Sequence, residues 1–179
     1  FRAGAWTPSV MFADNDLALG QLVEAVSRSR FWKETALFVL EDDAQAGPDH
    51  VDSHRSIAFV ASPYTRRGIV DSTMYNTTSV LRTMELILGL NPMTHFDAGA
   101  TPMWRAFANA PDLRPFEAEA PRISLNDRNP GGTPLAQRSA GLDIEVEADL
   151  IDDQDMNDIL YRGILGIPAP APVRSLFGQ

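Results

Sequence analysis

Cysteine is absent from the chain. Disulfides, thiolate nucleophiles and cysteine-type zinc sites are thereby excluded. A chain without thiols suits cytoplasm and cell envelope equally, so this absence leaves the compartment open. Basic residues are scarce: 15 Lys and Arg stand against 24 Asp and Glu, for a formal charge of -9. A non-specific nucleic-acid binder needs a basic face to neutralise phosphates, and that class is excluded. A metal-loaded acidic site is not, because a bound divalent cation reverses the local charge. No apolar run approaches the ~18–20 residues that cross a bilayer, so no transmembrane segment is expected. The start, Phe1-Arg2-Ala3, has neither Met nor a basic–apolar–small leader, and a processed product or a piece of something longer is expected.

What is present describes a globular chain. With 179 residues, 44% hydrophobic and 22% charged, it can bury the core of one domain. Asp14-Asn15-Asp16 offers N-cap candidates, and Leu19, Leu22, Val23 and Val26 follow at helical spacing, which predicts a helix from about Asp16 to Arg30. Ala36–Leu40 and Ile57–Ala61 are short apolar runs of the kind found in strands buried on both faces. Asn76–Ser79 caps a helix with an apolar stripe at Val80, Leu81, Met84, Ile87 and Leu88, and Gly89 stands at its C-cap. A last helix is expected from about Asp153 to Leu165, its acidic start matched to the helix dipole. Strands and amphipathic helices together predict an α/β architecture on a parallel sheet. The link between the two runs lacks a helical period, so pattern alone leaves their relative direction open. Residues 121–179, rich in Pro, Gly and Asn around 129–134, read as a loop-rich C-terminal segment appended to a domain at 1–120.

One loop concentrates polar chemistry. Between the two runs, Glu41, Asp42, Asp43, Asp49 and Asp52 gather with His50 and His54, two of the chain's three histidines. In open α/β sheets ligands collect at the carboxyl ends of strands, where this loop begins. So many carboxylates repel one another unless a cation or a neighbour such as Arg55 offsets the charge. Mixed Asp and His ligands suit Zn, Mn, Mg or Fe. A hydrated Asp/Gly/Pro surface turn accounts for the same spacing equally well, since no strict ligand motif such as His-x-x-x-His is present.

The stretch Phe38–Asp43 through Asp49-His50-Val51-Asp52-Ser53-His54-Arg55 resembles the bacterial phosphoesterase family, whose phospholipase C-type and acid phosphatase-type members belong to the alkaline phosphatase superfamily. The similarity continues through Ser62–Gly68, Asp71–Thr77 and Leu81–Glu85, and more loosely through Thr101–Trp104 and Pro111–Leu113. It implies an alkaline phosphatase-like layered sheet with flanking helices and metal-dependent hydrolysis of phosphate esters. It places Asp42 and Asp43 at the family's paired metal ligands and His54 at a late metal-binding histidine, although His54-Arg55 departs from the usual context. A divalent metal (Zn, Mn, Mg, Ca or Fe) and a phosphate-ester substrate are implied. Asp49 and His50 match a family-typical Asp-His-Val and suit an outer shell that orients a ligand imidazole.

The family's nucleophilic Ser or Thr and its first metal-binding acids belong to an earlier stretch of the fold. Nothing before Asp14 supplies that arrangement, so no catalytic residue is assigned and the chain is expected to be the C-terminal portion, its partner the N-terminal half. Two alternatives stand: a non-catalytic structural or interaction domain that keeps the fold, and a sulfatase or phosphomutase relative. The family resemblance implies a periplasmic or secreted setting. Elsewhere the bland readings are preferred: Asp16 as a helix cap, Arg66 and Arg67 as a solvated pair rather than a phosphate clamp, Tyr75 and Trp104 as packing residues, His95 as a turn residue, and the acids from Asp143 to Asp158 as a solvated face.

Overall fold

The computed structural model describes residues 1–41, 56–142 and 151–171. Their elements are α1 (Pro8–Ser27), β1 (Leu37–Leu40), β2 (Ala58–Ala61), α2 (Thr77–Leu88), α3 (His95–Ala98), α4 (Pro134–Ala140) and α5 (Asp153–Ile164). The described residues are thus a mixture of helices and one small sheet, compatible with α/β in the broad sense. They fall into two compact units. One holds 1–22, 41, 56–57, 118–142 and 151–171; the other holds 23–40 and 58–117.

α1 starts earlier than the cap pattern predicts. Pro8 takes the first helical position, where its missing N–H costs nothing, and Thr7 Oγ1 accepts the Val10 N–H at 3.2 Å. Asp14, Asn15 and Asp16 therefore lie inside the helix and cap nothing. The helix stops three residues short of Arg30, as Ser27 Oγ donates to Glu24 O at 3.0 Å and Ser29 Oγ to Val26 O at 2.7 Å.

In the first unit the leading residues are strapped down by buried Asn129. Its Nδ2 donates to the carbonyls of Arg2 (3.3 Å) and Trp6 (3.1 Å), and its backbone pairs with Gly4 and Ala5. The Phe1 ring sits where a side chain on Gly163 would be. The Pro/Gly-rich stretch expected to be loop leads into a helix: Thr133 Oγ1 accepts the Ala136 N–H at 3.1 Å, and Pro134 opens α4. α5 matches the predicted helix, with Asp152 as its N-cap and Ile159 buried. The acids expected to be a solvated face are engaged in this helix. Asp158 accepts from Arg162 (2.8 Å) and Arg138 (2.6 Å), and Asp155 pairs with Arg138. Residues 143–150 of that expectation lie outside the described residues.

In the second unit β1 and β2 are antiparallel, Leu37 opposite Ala61 and Leu40 opposite Ala58. The expected parallel arrangement is corrected here. Parallel neighbours need a crossover, usually a helix, and the link lacks a helical period. The strands are not buried on both faces either: Phe59 is 52% exposed and Leu40 is exposed too. α2 follows the sequence closely, with a capping box between Asn76 and Ser79 and left-handed Gly89 (φ 69°) at its C-cap. Its stripe is only partly covered, since Val80 is buried but Ile87 and Leu88 are exposed. The buried positions include Ser79, Thr83 and Glu85, with Arg82 Nη1 3.2 Å from Glu85 Oε2.

Thr83 connects α2 to the segment after α3. Its Oγ1 donates to Ser79 O at 2.7 Å and accepts the buried Met103 N–H at 2.8 Å. Thr83→Val keeps the shape but orphans that N–H, and is expected to cost about 1–3 kcal/mol. Chemical denaturation of the variant checks it.

His95 opens α3 rather than standing in a turn, because Thr94 and Asp97 form a capping box around it. Buried Asp97 accepts from the Met93 N–H (2.7 Å), the Thr94 N–H (2.8 Å) and the Thr94 hydroxyl. The Thr94 hydroxyl above all holds its carboxyl well below the usual range. Arg114 does the same for Asp112, and Arg162 and then Arg138 for Asp158. A carboxylate with a depressed folded pKa contributes stability above its unfolded pKa of about 3.9 and loses it as pH falls toward the folded value. Thermal melts are therefore expected to be lowered below about pH 4. Asp97→Asn is expected to have a lower melting temperature at neutral pH and a shallower acid decline.

Candidate metal centre

β1 ends at Leu40, and exposed Glu41 follows. The expected ligands Asp42, Asp43 and His54, with Asp49 and His50, lie outside the described residues. What is described is the frame that carries them. Leu40 and Ala58 are register partners, so their Cα atoms are about 5 Å apart. Asp43 is three residues beyond Leu40, and His54 is four before Ala58. Two carboxylates and an imidazole suit a hard or borderline divalent cation. Among the described residues no group of three or more His, Asp or Glu gathers to hold a metal.

The segment after β2 leaves from the opposite end of the hairpin. Ser62 Oγ accepts the Tyr64 N–H at 3.0 Å and lies 2.9 Å from Thr65 Oγ1. Backbone bonds tie it to residues 106–112: Arg66 N to Ala106 O, Ala108 N to Tyr64 O, and Asp112 N to Pro63 O, at 2.7–2.8 Å.

Arg66 and Arg67, expected as a solvated pair, part company here. Arg67 Nη2 donates to the carbonyls of Asp112 (3.2 Å) and Arg114. Its Nε lies 3.4 Å from Asp112 Oδ2, and its guanidinium stacks 4.1 Å from the centre of the Phe116 ring. That side chain is a strut with no fork left for a phosphate. Arg66 is exposed, and its Nε donates to Phe107 O at 3.1 Å.

The Asp71–Thr77 motif folds on itself. Asp71 Oδ1 accepts from Thr73 N (3.0 Å) and Thr73 Oγ1 (2.7 Å), while Oδ2 accepts from Tyr75 OH (3.1 Å). The Thr73 hydroxyl lowers the Asp71 pKa, and burial raises that of Tyr75. Tyr75 is thus held as a structural side chain. Trp104 is not: it is 62% exposed, with Arg105 5.3 Å from its ring centre, so the packing role expected for it is corrected. Sequence reasoning passed over the strut role of Arg67, whose partners stand 45 and 47 residues away and leave no local signal.

Residues 8–91 match the model of the Phosphoesterase family. The match begins at the first residue of α1 and ends just after the Gly89 cap. Over that stretch the resemblance to phosphoesterases is borne out, and it points to hydrolysis of phosphate esters. The looser similarity at 101–104 and 111–113 falls outside the match. No curated protein matches the chain.

Proposed function

We propose that the phosphoesterase-family stretch at residues 8–91 is the metal-ligating portion of a phosphate-ester hydrolase, with Asp42, Asp43 and His54 as ligands. The observation that carries this reading is the family match across the strand–loop–strand segment containing all three. In support, the β1–β2 register anchors both ends of that loop close together.

A bound divalent cation would stabilise the attacking and leaving oxygens of the phosphoryl group. The chain's own part is to hold the donors. Asp42 and Asp43 supply anionic oxygens, and His54 supplies a nitrogen once its imidazole is neutral. The attacking hydroxyl and the first acidic ligands come, in this reading, from a stretch outside these 179 residues, which completes an alkaline phosphatase-like layered sheet. A periplasmic or secreted setting is part of the same proposal and follows from the family resemblance alone. No helix among the described residues is long and apolar enough to cross a membrane.

The substrate class is tested by offering phosphomonoesters, phosphodiesters and sulfate esters to the polypeptide that carries the nucleophile, with Zn, Mn, Mg or Ca added singly. Metal-dependent release from a phosphate ester, exceeding that from sulfate, is the expected result. Preference for sulfate would favour the sulfatase relative, and no turnover with any metal would favour a non-catalytic domain.

A further inference from the structure

We draw no further inference here: the strongest candidate, the exposed apolar surface that Ile87, Leu88, Leu90, Met93 and Phe96 make from the end of α2 into α3, carries nothing because nothing among the described residues shows what covers it.

Discussion

Asp43→Asn is expected to lower metal-dependent phosphate-ester turnover by at least about a thousandfold, because a catalytic cation supplies several kcal/mol of charge stabilisation. The substitution keeps the size of the side chain and removes its charge, so lost turnover with an unchanged melting temperature isolates the ligand role. Asp42→Asn should behave alike. Asp49→Asn is expected to cost only about ten- to a hundredfold, as an outer-shell group does. Steady-state kinetics of the three variants, each made in the polypeptide that carries the nucleophile, over a range of metal concentrations gives the ranking. Activity in Asp43→Asn restored by excess metal would mean weakened binding, whereas activity equal to the unaltered enzyme would remove Asp43 from the site.

The largest effect on folding is expected at Trp32. Its side chain is buried at 3% exposure and meets Phe116 edge-on, ring centres 6.0 Å apart. Phe116 is in turn stacked by Arg67 and fastened through its backbone N–H to Ser27 Oγ at 2.9 Å. Trp32→Ala empties the centre of this group and should cost ~3–5 kcal/mol. Domains are commonly stable by only ~5–15 kcal/mol, so the second unit is expected to be close to unfolding in that variant. Trp32→Phe distinguishes ring volume from hydrogen bonding. The Trp32 Nε1 is buried with no hydrogen-bond partner among the described residues. Phe keeps most of the ring and removes that orphan donor, so its cost should stay within ~1.5 kcal/mol. Urea denaturation of both variants, followed by circular dichroism, checks the pair.

The sequence was most legible where the signal was local. Asn76, Ser79 and Gly89 bracket α2 through contacts made within a few residues, and the helix follows them. α1 shows a misplaced reading of the same kind of signal. Three acidic or amide residues at 14–16 look like caps, but Thr7-Pro8 combines a capping hydroxyl with a residue suited to the first helical turn. Thr133-Pro134 repeats that signal at α4, inside a stretch whose Pro and Gly content suggests loop alone.

Long-range relations were less legible. Apolar runs at 36–40 and 57–61 carry strand propensity, but neither direction nor burial is written in them. The antiparallel register and the exposure of Phe59 come from tertiary context. Arg67 has the composition of a phosphate ligand, and only the carbonyls of Asp112 and Arg114, far along the chain, show it to be a strut. For the candidate site, the family stretch was readable from 38–85 because the motif residues are close in sequence. The assignments of Asp42, Asp43 and His54 remain proposals built on that resemblance and on the paired anchors at Leu40 and Ala58.

The central claim, that the loop between β1 and β2 holds a divalent cation, is tested most directly by elemental analysis. The unaltered chain and the Asp42→Asn/Asp43→Asn double variant are loaded with Zn, Mn or Mg, dialysed and measured for bound metal. The account predicts retained metal in the unaltered chain and near-background metal in the double variant. Equal, near-zero metal in both would contradict it.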